Sequence, residues 1–367
     1  MILNAEQAML RDTVAQFFQE RAPVSALRAL QSHDDSHSYD AALWAEMVEL
    51  GLPAITVPEA FDGLDFGWMG LGAIAQEAGR RLVASPLLSS VVMAQNVLLN
   101  CGSAAQIDTY LPDLLSGDAT ATLAIDEGRY FDPETIAISE EAAALSGQKT
   151  RVLDIGMASL IFCVARKASG AMGIAVIPSS TDGVEISPKR FMDLHGYGAI
   201  TLNSVNTDAI DWLDGPDVEG GLARAIDQAT AVLAAEMMGS AREILERTVS
   251  YLGEREQFDV KLGTFQALQH RCAQMYCELE LAESAVAAAL NGLDQRAPHI
   301  SVLVSSAKAL ANDCFTLISS EAVQLHGGMG VTEEMDIGLF LKRSRVCNQL
   351  LGSSSYHRDR FARLHGF

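Results

Sequence analysis

Apolar residues in the first third of the chain recur at helical spacing. Leu10, Val14 and Phe17 lie three or four positions apart, and Asn4 precedes them as a candidate N-cap. Later stretches such as GWMGLGAIAQEAGRRL and SPLLSSVVMAQNVLLN continue the same period. The pattern predicts a mostly α-helical domain over residues 1–118.

The pattern changes twice after this domain. Short β-rich runs, among them ATATLAID, MGIAVIPSS and AITLNSV, are separated by Gly, Pro, Ser and Asp, which is typical of an antiparallel β domain over residues 119–214. Over residues 215–367 long apolar-periodic segments return, with little polar face. They indicate a four-helix bundle, or helices buried between subunits. The predicted fold is a multi-domain α+β protein whose β domain lies between two helical domains.

Composition narrows the classes of partner and compartment. The 367 residues carry a net charge of −21, which argues against nucleic acid because phosphate neutralisation needs clustered Lys and Arg. No apolar run reaches the roughly 20 residues that span a bilayer, and no signal peptide is visible, so we expect a cytoplasmic protein without a membrane partner. Six scattered cysteines without a C-x-x-C pair indicate buried free thiols and no metal site.

A glycine-rich loop follows the last long helix. In QLHGGMG, Gly327, Gly328 and Gly330 remove side chains, so that backbone amides can approach a phosphate or a ring closely. A helix C-cap followed by a turn explains one glycine, but three within four residues exceed what a cap needs. Ligand contact and a structural turn both stay open from this loop alone.

The segment YLGEREQFDVKLGTFQ predicts a helix, a short loop and a second helix. Arg255 can bind a phosphate through two parallel hydrogen bonds, and Gln257 and Gln266 can hydrogen-bond a polar ring edge. When Arg255 is taken alone, a surface ion pair with Glu254 or Glu256 is the simpler interpretation.

Two acidic residues, Asp227 and Glu236, interrupt an apolar helical pattern. Each can be an internal acid able to act as a base, or a residue on a solvated face. The solvated face is the simpler interpretation for each residue taken singly. His357 lies beside Tyr356 and Arg358 without metal or triad spacing, and it is interpreted as a core or surface histidine.

Together these segments resemble the acyl-CoA dehydrogenase family over nearly the whole chain. YLGEREQFDVKLGTFQALQHR is similar to the family signature Y-x-x-x-R-x-Q-F-G-x-x-(I/L)-x-x-x-Q, and QLHGGMG is similar to its Q-x-x-G-G-x-G signature. The second motif, with GSSSYHRDRFARL after it, most resembles the small subunits of two-subunit bacterial members, such as the pimeloyl-CoA and steroid side-chain dehydrogenases.

The resemblance implies an FAD-dependent enzyme of fatty acid or steroid side-chain β-oxidation. Such an enzyme oxidises an acyl-CoA thioester to the 2-enoyl-CoA and passes electrons to an electron-transfer flavoprotein. Two neighbouring chains share each FAD across their interface. The residues that the resemblance assigns to cofactor binding are Arg255, Gln257, Phe258, Gln266, Gln324, Gly327, Gly328 and Ser353.

The sequence departs from the family where the catalytic base is expected. The usual Glu precedes a glycine that corresponds to Gly352, and its position holds Leu351. The alternative base position, on the helix before the arginine motif, holds Ala229. Asp227 precedes Ala229 by two residues, about 200° around the helix, and is the remaining candidate base.

The middle domain departs from the family as well. The strand T-E-P-G-x-G-S-D, which contacts the flavin ring in the family, is AIDEGRYFD here. Arg151 replaces the aromatic residue of the family strand K-x-W-I-T. Asp259 replaces the glycine of Q-F-G and adds a negative charge near the expected pyrophosphate.

These departures lead to three hypotheses. In the first, the chain is the partner subunit of an α2β2 heterotetramer, and a homologous large subunit supplies the catalytic carboxylate. In the second, it is a self-sufficient homotetrameric acyl-CoA dehydrogenase with Asp227, or less favourably Glu236, as base. In the third, it is a non-catalytic acyl-CoA-binding homologue.

Overall fold

The computed structural model describes residues 3–367, which divide into two compact units. The helical unit comprises the described residues up to Val24, together with Gly67–Val83 and Thr230–Phe367. The sheet-containing unit comprises Ser25–Phe66 and Ala84–Ala229. The predicted fold class, with helices, then antiparallel sheets, then a helical bundle, is confirmed. The three domain limits inferred from the sequence stay a prediction.

The elements alternate along the chain as the apolar periods predict. The helices are α1 Ala5–Arg21, α2 Val24–Ala29, α3 Ala41–Glu49, α4 Gly67–Arg81, α5 Gln95–Cys101, α6 Ala104–Ser116, α7 Val218–Glu254, α8 Gln266–Asp294, α9 Ile300–His326, α10 Ile337–Cys347 and α11 Ser354–Leu364. The strands are β1 Ala121–Ala124, β2 Glu140–Glu141, β3 Ala144–Leu153, β4 Leu160–Arg166, β5 Met172–Pro178, β6 Val184–Arg190, β7 Gly196–Asn206, β8 Asp211–Trp212, β9 Glu256–Gln257 and β10 Val260–Lys261. A π-helical segment, Leu87–Ala94, leads directly into α5.

Two four-stranded sheets build the sheet-containing unit. Their strand orders are β1-β4-β5-β8 and β2-β3-β7-β6. The pairs within them are antiparallel except β1 with β4, which run parallel from Ala121 opposite Leu160. One apolar cluster, which includes Ile161, Ile177 and Ile200, takes residues from both sheets. The antiparallel prediction is therefore confirmed with one parallel pair, whose direction an alternating pattern does not encode.

Helix α9 lies at the centre of the packing in the C-terminal part of the helical unit. Its buried residues recur every three or four positions, as at Val304, Ala307, Ala311 and Ile318. It packs against α8, α10 and α11. Burial on several sides explains why its sequence shows so little polar face.

Helices α4 and α7 cross at a pair of glycines. A Cβ on Gly239 would lie 1.9 Å from the Gln76 carbonyl oxygen, and a Cβ on Gly79 would lie 2.0 Å from the Glu236 carbonyl oxygen. Beside this contact the Ser240 hydroxyl donates to the Gly79 carbonyl at 2.8 Å. Only glycine fits at either position while the two backbones stay this close.

The cysteines are all free, but they are not all buried. Cys272 is partly exposed and Cys277 is exposed, so the expectation of buried thiols is wrong for these two residues. Cys277 lies two positions from both Met275 and Leu279, which form the buried side of α8. A residue two positions away on a helix points to the opposite face, which explains its exposure.

The glycine crossing generates a stability prediction. Gly239→Ala should lower the melting temperature, because the new Cβ overlaps a carbonyl oxygen, and overpacking of this kind costs about 1–3 kcal/mol. Gly253→Ala is the matched control in the same helix, since a Cβ there would meet nothing within 4 Å. The control should be neutral or should stabilise by up to about 1 kcal/mol. Thermal unfolding of both variants measures the difference, and equal melting temperatures would contradict the close crossing.

Candidate functional site

A short hairpin follows α7 and carries the arginine motif. Strands β9 and β10 pair antiparallel, and the two turn residues, Phe258 and Asp259, have φ of 57° and 64°. Two successive positive φ values define the turn type that matches the twist of a two-residue hairpin. Asp tolerates this left-handed conformation better than most residues other than glycine. The turn is therefore compatible with Asp259 where the family motif has glycine.

The hairpin begins next to an arginine whose side chain has no polar partner among the described residues. Arg255 is exposed, and its side chain forms no hydrogen bond or ion pair within residues 3–367. The predicted ion pair with Glu254 or Glu256 is therefore wrong, and Glu254 instead accepts a hydrogen bond from Ser250 at 3.0 Å. The guanidinium keeps all its donors for a ligand.

Other predicted cofactor contacts on this side are also exposed. The Phe258 ring is 84% exposed, and Gln266, the first residue of α8, has no side-chain partner among the described residues. The Gln257 amide donates only to the neighbouring Glu256 carbonyl, at 2.9 Å. An aromatic face, amides and a free guanidinium fit a ligand that carries phosphate and a purine ring.

The three glycines after α9 differ in what the structure requires of them. Gly327 has φ 60° and ψ −138°, a conformation that essentially only glycine adopts, so it ends the helix. A Cβ on Gly330 would lie 2.5 Å from the Val323 carbonyl oxygen, so packing requires glycine there. At Gly328 a Cβ would meet nothing within 4 Å, which leaves open space for a ligand. The exposed Gln324 one turn earlier has no side-chain partner among residues 3–367.

Ser353 has a structural role in this chain. Its hydroxyl caps α11 by accepting from the Tyr356 amide at 3.3 Å, and it shares a hydrogen bond with the Ser355 hydroxyl at 2.9 Å. The cap accounts for the residue without any ligand. Its assignment to cofactor binding stays a prediction.

Both positions where the family places a base hold buried aliphatic side chains. Leu351 is 6% exposed and Ala229 is 1% exposed. Asp227 is 3% exposed, so the solvated interpretation is wrong for this residue. A single acidic residue in an apolar helix does not reveal what packs against it, and this is why the sequence misled.

Glu236 is also removed from solvent, by an ion pair. Its Oε1 accepts from Arg343 Nε at 2.9 Å and from a terminal guanidinium nitrogen at 2.5 Å. The Arg343 side chain is 5% exposed and that of Glu236 16%. The solvated interpretation is therefore wrong here too, because the carboxylate is already engaged by a buried guanidinium.

The strands expected to face a flavin ring carry paired charges instead. Arg151, at an irregularity of β3 and with φ 49°, donates from Nε to Asp126 at 3.1 Å. Lys149 is 0% exposed and donates to Glu127 at 2.6 Å. Burial raises the pKa of Asp126 in spite of Arg151. Burial also acts to raise the pKa of Glu127, but Lys149 holds it below the usual value. Arg151 stands where the family strand has an aromatic residue, and the four charged side chains engage one another in pairs, so these residues do not fit a flavin ring.

A cavity of about 320 Å³ lies beside the end of α7 and is lined partly by Arg247. This guanidinium is already engaged, by Glu243 at 2.8 Å and by Asp336 at 3.0 Å. Its charge is therefore neutralised within the chain, in contrast to that of Arg255.

A buried lysine lies where α9, α10 and α11 meet. Lys308 is 0% exposed, and its Nζ donates to Asn312 Oδ1 at 2.8 Å and to the carbonyls of Cys347 and Gly352 at 2.9 and 3.3 Å. Burial lowers the pKa of Lys308 to about 7. Sequence reasoning missed this residue because lysines are rarely buried. The one available signal was a charged residue among small and apolar neighbours in SSAKALAND.

His357 belongs to the core, one of the two predicted alternatives. It is 1% exposed, and burial, followed by the charge of Lys308, lowers its pKa to about 3. The imidazole is therefore neutral near pH 7.

Within residues 3–367, no three His, Cys, Asp or Glu side chains are grouped as ligands of a metal ion. No helix of the same range is long and apolar enough to cross a membrane.

Two protein-family models match the chain. The model described as acyl-CoA dehydrogenase, N-terminal domain, matches residues 4–118. The model described as acyl-CoA dehydrogenase, C-terminal domain, matches residues 222–365.

Individual relatives match over nearly the full length. Acyl-CoA dehydrogenase IpdE2 of Mycobacterium tuberculosis is 31% identical over 350 residues, which cover 95% of this chain and 93% of IpdE2. A solved variant of the Tcur3481–Tcur3483 steroid ACAD is 28% identical with a TM-score of 0.88, and 98% of this chain and 97% of that chain are covered. A chain of the ChsE4–ChsE5 complex from Mycobacterium tuberculosis is 23% identical with a TM-score of 0.89, and the match covers 100% of this chain and 99% of that chain. At this identity the match shows a similar fold and nothing more.

The buried lysine generates a pH prediction. The pKa of Lys308 is about 7 in the folded chain and about 10.4 for an unfolded lysine. Between these values the unfolded chain binds a proton that the folded chain lacks, so stability falls as pH falls from about 10 to 7. Lys308→Met removes this titration. From pH 7 to 9 the unfolding free energy of wild type should rise relative to the variant by about 1.4 kcal/mol per pH unit. Urea unfolding measures this, and a constant gap would contradict it.

Proposed function

Since this chain belongs to the acyl-CoA dehydrogenase family, we propose that it is the partner subunit of a heteromeric α2β2 acyl-CoA dehydrogenase. Members of the family are FAD-dependent oxidoreductases. In the proposed assembly a homologous larger subunit supplies the catalytic carboxylate, and this chain contributes part of the FAD site. The third hypothesis, a non-catalytic acyl-CoA-binding homologue, has no particular observation in its favour.

The observation that carries the proposal is the chemistry of the two base positions. Dehydrogenation of an acyl-CoA requires removal of the proton on the carbon next to the thioester carbonyl. Leu351 and Ala229 are buried and have no group that accepts a proton. When bound, FAD supplies the acceptor for the hydride, but it does not supply this base.

The free polar groups of the helical unit support a shared cofactor. Arg255 and Gln266 are exposed and have no partners within the described part of the chain, as a ligand-binding surface requires. In the proposed assembly they hold the pyrophosphate and adenosine end of FAD together with Gln257 and Phe258. Gln324, Gly327, Gly328 and Ser353 approach the same cofactor from the neighbouring chain.

The charged pairs of the sheet-containing unit also support a site that is shared between this chain and the larger subunit. Arg151 with Asp126, and Lys149 with Glu127, take the place of the residues that face a flavin ring in the family. The flavin ring is therefore assigned to the larger subunit in this proposal.

The relatives support the class of substrate and the two-chain assembly. The name of the structural relative at 28% identity joins two protein designations and describes a steroid ACAD. We infer that the substrate is a bulky acyl-CoA such as a steroid side-chain thioester, oxidised in the cytoplasm. In this proposal the electrons pass to an electron-transfer flavoprotein.

A second candidate function is a self-sufficient homotetramer with Asp227 as base. The observation in its favour is that Asp227, at 3% exposure, is a buried carboxylate two residues from the family position at Ala229. Glu236 is less suitable because Arg343 holds its carboxylate in an ion pair.

The first test concerns FAD in the assembly. The chain is co-expressed with a homologous dehydrogenase chain that carries the catalytic Glu, and FAD affinity is measured by visible absorption and dialysis. The co-complex should hold fewer flavins than chains, and the chain alone should be colourless. Arg255→Met should weaken FAD binding by about 10- to 100-fold, since a charge-assisted hydrogen bond contributes about 1.5–3 kcal/mol.

The matched control is Arg242→Met in the same unit. Arg242 is engaged by Glu280 and Glu283, each at 2.7 Å. Its loss should reduce stability without changing FAD affinity. A yellow chain without partner, bleached by an acyl-CoA, would refute the partner-subunit proposal.

The second test separates the two candidate functions. Asp227→Asn keeps the size of the side chain but removes its basicity. A self-sufficient enzyme would lose turnover by about 10³-fold or more, because proton abstraction is obligatory. The partner-subunit proposal predicts a change of only a few-fold in the co-complex. Flavin reduction by a steroid side-chain CoA ester, followed in a stopped-flow instrument, measures the rate.

A further inference from the structure

The backbone between α10 and α11 is bound by buried side chains. Lys308 donates to the carbonyls at both ends of this connection, those of Cys347 and Gly352. Asn312, one turn further along α9, donates from its amide nitrogen to the same Gly352 carbonyl at 3.3 Å. The Gly352 oxygen therefore receives two hydrogen bonds from one face of α9.

A third side chain binds the preceding carbonyl. His357 Nε2 lies 2.8 Å from the Leu351 carbonyl oxygen, while His357 Nδ1 is buried without a partner. The proton of the neutral ring is therefore assigned to Nε2, which donates. We call Lys308, Asn312 and His357 the carbonyl clamp.

The turn held by the clamp has an unfavourable conformation. Leu351 has φ 55° and Gly352 has φ 104°. A Cβ at position 352 would lie 2.4 Å from the Tyr356 ring, so glycine is required there. A leucine with positive φ persists only where its surroundings impose the conformation. Ser353 follows at once as the cap of α11, so the turn sets the direction in which its hydroxyl points.

The clamp is built for hydrogen-bond geometry and not for charge pairing. All three contacts of Lys308 are to neutral oxygens, and the three N–H donors of its protonated form match these acceptors. Arg343, whose charge acts on Lys308, is itself paired with Glu236. An apolar residue at 308 would avoid the desolvation of an ammonium, but it would remove the hydrogen bonds from Nζ to the carbonyls of Cys347 and Gly352.

We propose that Lys308 and His357 are positioning residues, which fix the Leu351–Gly352 turn so that Ser353 and the first turn of α11 meet the shared FAD. This role rests on the proposed function, in which Ser353 contacts the cofactor. It adds that α9 and α11 control that contact although neither Lys308 nor His357 touches the ligand.

The test is a double-mutant cycle in the co-complex with the larger subunit. The FAD dissociation constant is measured for wild type, Lys308→Met, Ser353→Ala and the double variant. Lys308→Met should weaken FAD binding about tenfold, and Ser353→Ala should then add less than about twofold in the Lys308→Met background. The control cycle combines Arg242→Met with Ser353→Ala. Its effects on the FAD dissociation constant should multiply, because Arg242 does not contact the turn.

The outcomes separate this role from the proposed function. If the fold-changes in the FAD dissociation constant caused by the two substitutions multiply, Lys308 does not position Ser353. The same conclusion follows if Lys308→Met leaves FAD affinity unchanged. The role also fails if Ser353→Ala alone has no effect. A wild-type co-complex without FAD would overturn the proposed function itself, and this role with it. If Lys308→Met does not fold, His357→Phe removes the donor to the Leu351 carbonyl at similar volume, and the same cycle decides.

Discussion

The close crossing of α4 and α7 is the contact on which the helical unit depends. At Gly79 and Gly239 each backbone occupies the space that a Cβ of the other helix would need. The separation of the helices is therefore fixed by backbone sterics and not by adaptable side chains. Helix α7 ends at Glu254, and Arg255 follows directly. A helix held in place by the crossing also holds the hairpin that presents the free guanidinium.

The fold could be predicted from the sequence, but the partners of single charged residues could not. Long apolar periods and short β-rich runs identify helices and strands because they record burial over many residues. Arg255 shows the limit of local reasoning, since consecutive residues at a helix end do not face each other. Glu254 therefore meets Ser250, one turn back, and the Arg255 side chain has no polar partner among residues 3–367. Neither outcome is visible in the residue pattern.

Lys308 shows a second limit. Its acceptors, the carbonyls of Cys347 and Gly352, are 39 and 44 positions away in sequence. No local period reports that a loop from another part of the chain closes over a lysine. The cofactor residues, by contrast, were predicted only because two signatures resemble those of a family. Composition alone would not have distinguished Gly328, which leaves open space, from Gly330, which packs against a carbonyl.

The pattern of what is kept and what is lost favours a division of labour over a simple loss of function. A chain that had abandoned the cofactor would have no need of an exposed arginine whose side chain has no ion pair within the described part of the chain. The base and the residues that the family places against a flavin ring are absent, and Asp259 replaces the glycine of the arginine motif in a turn that tolerates it. Proton abstraction and hydride acceptance must occur at one substrate, so in the proposed assembly the second chain supplies both and this chain contributes the outer contacts to the cofactor.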